Sequence, residues 1–202
     1  MGQTRQEQKH KTRAAILEAA CRVFSEKGIT AARMSDVAQA AGLSHGTVFV
    51  HFHTQDELIC EVVNEYAGRI AQRTHQLAES CGSMRDLLRA HLAGIGEYEP
   101  FYTRLVIERR QLPPEAAAGW VAIQSAVSHH FHKTLEREAG PAGQADTPVH
   151  LLFNQWVALV HYYLANGDLF APEGNVIARY GETLVNAYLQ MLPQVAERGS
   201  HG

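Results

Sequence analysis

MSDVAQAAGLSHGTVFVHF, residues 34 to 52, holds two short helical patterns that meet at a glycine. Val37, Ala38 and Ala41 share one side of the first pattern at helical spacing, and Val48 and Phe52 anchor the second. Ala38 is small enough for two helices to cross closely. Gly42 can take a positive φ without a Cβ penalty, and Leu43 turns inward behind it. Ser44 stands where an N-cap is needed, ahead of a helix expected over His45 to His51. The pattern is that of a helix-turn-helix whose second helix enters a DNA groove.

Upstream, TRAAILEAACRVFSEKG (residues 12 to 28) puts Ile16, Leu17, Ala20, Val23 and Phe24 on one helical face and ends on Gly28 as a C-cap. Downstream, in FHTQDEL (residues 52 to 58), Thr54 is placed as an N-cap and Glu57 completes a capping box. In order and spacing, the stretch from Thr12 to Leu58 resembles the TetR-type one-component repressors. The resemblance implies an all-α fold. An N-terminal three-helix helix-turn-helix DNA-binding domain is expected over residues 1–54, and a C-terminal helical ligand-binding and dimerisation domain over 55–196.

Three positions depart from the family pattern. Phe49 stands where a tyrosine hydroxyl usually reaches a DNA phosphate, and Gln55 replaces the usual phosphate-binding lysine. Ala32 and Arg33 occupy the place of the hydroxyl residues that usually open the second helix, which makes Arg33 itself a candidate phosphate ligand.

The whole chain of 202 residues carries a net charge of −3, which by itself does not suggest nucleic acid. Its distribution does. Residues 1–54 hold seven Lys/Arg against four Asp/Glu, net +3, and the remainder is net −6. Gln3 to Lys11 reads as a flexible basic arm, with Lys9 and Lys11 available to phosphate. A hydrophobic content of 46% is enough to bury a sizeable core. No apolar run of membrane-spanning length occurs, and MGQTRQEQKHK lacks the apolar stretch of a secretory signal, so a cytoplasmic protein without membrane partners is expected. Cys21, Cys60 and Cys81 are odd in number and widely spaced, which argues against a disulfide framework.

Beyond residue 54, helices are expected over 54–81, 84–98, 101–111, from Pro113-Pro114 through Leu135, 149–166 and 173–192, with a disordered loop over 139–148. The last two helices carry more apolar surface than one core needs. Their expected pairing with a second copy uses Leu152, Val160, Tyr163, Ile177, Tyr180, Leu184 and Tyr188.

The expected function is that of a dimeric repressor on a palindromic double-stranded DNA operator, released by a small hydrophobic or aromatic inducer. DNA contacts fall to Arg33, Ser44, His45, Gly46, Thr47, Phe49, Val50 and His51, with Lys9 and Lys11 from the arm. The expected inducer lining is His91, Tyr98, Phe101, Tyr102, Trp120, Gln124, Phe153, Trp156 and His161, aromatic walls with a few polar handles. His129, His130 and His132 lack a carboxylate or thiolate at matching spacing and read as solvated surface histidines, so no metal and no cofactor is expected. No nucleophile-and-base motif is present, which argues against an enzyme. The remaining alternative is a DNA-bound architectural or protein-interaction factor of the same fold without an inducer.

Overall fold

Arg5–Lys27 is helical from its first turn (α1), because Thr4 forms a reciprocal cap with Glu7. The Thr4 side chain accepts from Glu7 N at 3.2 Å, and Thr4 N donates to the Glu7 carboxylate at 2.9 Å. This corrects the expectation of a flexible arm for residues 5–11. Those residues are nearly all strong helix formers, and the cap supplies the nucleus. The computed structural model describes residues 4–139 and 147–192, and every regular element among them is helical.

After α1 come α2 (Met34–Ala41), α3 (His45–His51) and α4 (Gln55–Ala78). Next follow α5 (Met84–Gly96), α6 (Glu99–Glu108), α7 (Ala117–Ala139), α8 (Val149–Ala165), the short α9 (Gly167–Phe170) and α10 (Val176–Met191). Pro100 sits in the first turn of α6 and opens that helix, which starts at Glu99 and not at the expected residue 101. The last helix starts later than expected because Asn175 caps it, its side chain accepting from Ala178 N at 2.9 Å. Of the loop expected over 139–148, residues 140–146 lie outside the described residues.

The chain forms two compact units. One runs to Arg69 and takes in Tyr98–Ile123; the other holds Ile70–Glu97 and continues from Gln124. The expected domain of residues 1–54 is thus part of a larger compact unit, and α4 and α7 each belong partly to both. In the first unit Ile16, Ala20, Ile29, Val37, Val48 and Phe52 are fully or nearly fully buried and hold α1, α2 and α3 together. Each of the Ile, Val and Phe side chains contributes about 1.5–3 kcal/mol by leaving water.

In the second unit Trp156, Tyr188 and Phe131 form an aromatic core, with Trp156 and Tyr188 ring centroids 5.2 Å apart. The Tyr188 hydroxyl donates to Leu152 O at 2.6 Å. Leu152, Val160, Leu184 and Tyr188, expected at a dimer face, are 0–3% exposed within one chain and have no surface left for a partner. This is a correction. The apolar period of α8 fits two faces, and the single-chain core takes the one bearing Leu152, Trp156 and Val160. Leu151, Tyr162, Leu169 and Met191 are the exposed apolar side chains of α8 to α10, and Tyr163, Ile177 and Tyr180 are half-buried.

Candidate nucleic-acid interface

Gly42 closes α2 at φ 66° and ψ 30°, the left-handed conformation the turn requires. Leu43 N then donates to Ala38 O at 3.0 Å, and the half-buried Leu43 fills the corner. Ser44 caps α3, accepting from Thr47 N at 3.1 Å, and the Ser44 and Thr47 hydroxyls lie 2.8 Å apart. Val48 and Phe52 are fully buried, which fixes the rotation of α3 and turns His45, Gly46, Phe49 and Val50 outward. Val50 is 68% exposed. The ring of Phe49 packs edge-on against His45, with centroids 4.7 Å apart, so the position without a tyrosine hydroxyl supports the His45 ring instead.

His51 does not share this outward face. It is half-buried with Nδ1 enclosed and unpartnered among the described residues. Burial, then the charges of Lys9 and Arg13, lower its pKa and favour the neutral ring. Lys9 and Lys11 are exposed on α1, and Arg13 lies over the Phe52 ring at 4.3 Å while pairing with Glu61 at 3.0 Å.

The corner between α1 and α2 is held from three directions. Lys27 pairs with Asp36 at 2.8 Å, and that contact, followed by the Arg33 N–H, holds the Asp36 carboxyl below the usual range. Gln55 donates to Ala32 O at 2.9 Å, so the residue in place of a phosphate-binding lysine ties α4 to the reading head. Glu108 is 7% exposed and accepts from Ile29 N at 3.3 Å, Thr30 N at 2.8 Å and the Thr30 hydroxyl at 2.7 Å. One turn earlier on α6, Arg104 donates to Ser25 O and Glu26 O at the end of α1. Gly28, at φ 98°, leaves room for the carboxylate, since a Cβ there would lie 2.8 Å from Glu108 Oε1. Neither Gln55 nor Glu108 was expected in these roles. Partners 23 and 79 residues away in sequence leave no local signal.

The nine residues expected to line one inducer site divide between the units. Tyr98, Phe101, Tyr102 and Trp120 lie in the first; His91, Gln124, Phe153, Trp156 and His161 lie in the second. His91, Phe101, Tyr102, Phe153 and Trp156 are closed into packed cores. One surface cleft of about 400 Å³ is bounded by Ala171 to Asn175, Ala178 and Arg179. Another of about 280 Å³ lies among Thr30, Gln55, Asp56, Ile59 and Gln111 to Pro113, and neither includes any of the nine.

His130 is buried, not solvated as expected, with Nε2 2.7 Å from His75 Nδ1; His132 pairs with Glu136 one turn on, which corrects the expectation that no carboxylate lies at matching spacing. Among the described residues no three His, Cys, Asp or Glu side chains converge as metal ligands, and no helix is long and apolar enough to cross a membrane. Desolvation pushes the buried Cys21 thiol up to about 11, which keeps it protonated and unreactive at neutral pH.

Residues 16–62 match the family described as bacterial regulatory proteins, tetR family. The chain is 28% identical over 143 residues to the HTH-type transcriptional repressor AcnR of Corynebacterium efficiens, covering 70% of this chain and 73% of that one. It is 30% identical over 88 residues to the HTH-type transcriptional regulator TtgR of Pseudomonas putida, covering 41% of each. The fold is similar to that of the TetR-family regulator PfmR of Thermus thermophilus, with a TM-score of 0.70 at 22% identity over 89% of this chain and 99% of that one. It is also similar to FadR of Bacillus subtilis, solved in complex with stearoyl-CoA, with a TM-score of 0.69 at 14% identity over 89% and 99%. With a capped helix-turn-helix inside the matched residues and helices alone in the rest of the described residues, residues 16–62 carry the DNA-binding region of the tetR family, and the chain is similar over most of its length to TetR-type transcriptional regulators.

Proposed function

We propose that the protein is a dimeric transcriptional repressor that binds a near-palindromic operator and is released by a small, largely apolar inducer. The observation that carries this is the outward face of α3. His45, Gly46, Phe49 and Val50 are presented to solvent by a short helix whose cap, buried anchors and clamped corner fix its orientation. His45 is suited to a base edge, Gly46 to close backbone approach and Val50 to a thymine methyl. Arg33, Lys9 and Lys11 are exposed and suited to phosphate.

Two such helices related by a two-fold axis read half-sites about 34 Å apart, or a multiple of that. Leu151, Tyr162, Leu169 and Met191, with half-buried Tyr163, Ile177 and Tyr180, supply the apolar surface for pairing. Ligand response is supported by the FadR fold relative that holds stearoyl-CoA. It requires a ligand with different affinities for two arrangements of the chain. Helix α4, shared by both units, is the element through which such a difference reaches the reader.

A second reading, an architectural DNA-binding factor without an inducer, is favoured by the closed packing around five of the expected lining residues. Incubating the purified protein with genomic fragments at physiological salt, and sequencing those retained, tests both. A shared near-palindrome supports the repressor. Retention of unrelated, salt-sensitive fragments alone refutes it in favour of the second reading.

A further inference from the structure

His91, on α5, is 1% exposed, and its Nδ1 lies 2.9 Å from Trp156 Nε1. An indole N–H can only donate, so Nδ1 is the acceptor and the ring proton of neutral His91 sits on Nε2. That Nε2–H is buried and has no hydrogen-bond partner among the described residues. A second orphan packs against the next turn of α5. The hydroxyl of Thr74, on α4, is fully buried and unpartnered. It rests on Gly94, where a Cβ would overlap it, and Gly94 follows His91 by one turn on the same face of α5. Native cores leave few such groups unsatisfied. Two beside one helix face in the same unit call for a missing partner.

The chemistry of that partner follows from the donors. His91 brings an N–H and no charge, because complete burial, with His161 nearby, pushes its pKa down to about 3. The hydroxyl of Tyr188, which packs on Trp156, is already committed to Leu152 O. We propose that His91 Nε2–H and the Thr74 hydroxyl form the polar end of a ligand site in the second unit, which takes an uncharged, mostly apolar molecule through a carbonyl-type oxygen. This rests on the ligand-responsive reading above and narrows its ligand class. A carboxylate would bring a charge that a neutral imidazole and a hydroxyl cannot balance in an aromatic core. Since His91 and Trp156 are closed into the core, entry separates α5 from α8. The ligand thereby favours an open arrangement over the closed one, the differential affinity that a switch needs.

Three small probes separate the possibilities: acetophenone, α-methylstyrene, which has the same shape with a methylene in place of the carbonyl oxygen, and benzoate. Calorimetric titration of the full chain is expected to show acetophenone binding about tenfold tighter than α-methylstyrene, with benzoate weakest. In His91→Phe the ketone preference is expected to vanish, and in Thr74→Val to shrink. In the wild type labelled with 15N-histidine, one imidazole N–H resonance is expected to shift with acetophenone and not with α-methylstyrene, a readout independent of whether His91→Phe folds. Equal binding of ketone and hydrocarbon, benzoate binding tightest, no binding of any probe, or a preference that survives His91→Phe overturns the proposal. Retention of operator fragments by the same preparation separates the outcomes. DNA binding without ketone preference sinks only this site, whereas loss of specific DNA binding sinks the broader reading.

Discussion

Replacing Glu108 by alanine should loosen the reading head while leaving the chain folded. Ile29 is fully buried, so its N–H, which donates to Glu108 Oε1, loses its acceptor and cannot recover one from water. Thr30 is exposed, and its N–H and hydroxyl regain solvent. One orphaned buried donor costs about 1–3 kcal/mol, and the surplus of two charge-assisted bonds over their hydrated replacements adds about 1 kcal/mol. The expected loss is about 2–4 kcal/mol, within the stability of an ordinary domain of about 5–15 kcal/mol. Urea denaturation followed by circular dichroism measures it as a shift in midpoint at constant m value. Glu108→Gln should fall between wild type and alanine, since the amide keeps one acceptor but turns a donor toward another donor. Exposed Glu115→Ala is the control and should stay within about 0.5 kcal/mol. A loss under about 1 kcal/mol for Glu108→Ala, or one equal to the control, would refute the clamp.

Three further outcomes are expected. His91 has a folded pKa of about 3 against an ordinary 6.5, so below pH 6.5 the unfolded chain binds the extra proton. Its contribution is complete above pH 6.5 and falls by about 1.4 kcal/mol per unit as pH drops toward 3. His91→Phe should flatten that part of the denaturation profile, and an unchanged slope would contradict a buried neutral ring. Gly94→Ala places a Cβ over the Thr74 hydroxyl and 3.1 Å from Thr74 Cα, and should cost about 1–3 kcal/mol. Adding Thr74→Ala should recover part of that loss, which a double-mutant cycle in thermal denaturation reads directly. Arg33→Ala should weaken binding to all DNA sequences alike and reduce the log–log salt slope by about 1, and an unaltered slope removes Arg33 from the phosphate contacts.

The reading head was legible because its signals are local. Gly42, the Ser44 cap and the buried pair Val48 and Phe52 lie within a few residues of one another, and propensity and packing agree there. The start of α1 carries a local signal too, Thr4 followed by Glu7, but it lies in a stretch with no apolar period, so its sequence has the polar, basic look of an arm. Apolar pattern misled in α8, where Leu151, Leu152, Phe153, Trp156, Val160 and Tyr162 surround most of the helix. Periodicity cannot choose the inward face of such a helix. The Glu108 clamp, the Gln55 tie and the bond from Trp156 to His91 join residues 79, 23 and 65 positions apart, so only the tertiary fold brings them together.

Base reading by the outward face of α3 is tested most directly by selection from a randomised DNA library with the wild type and with His45→Ala. The account predicts a near-palindrome for the wild type, and for His45→Ala the same palindrome with preference relaxed at one symmetric pair of positions. Identical preferences for the two proteins, or a uniform loss of affinity with no change at any position, would contradict it.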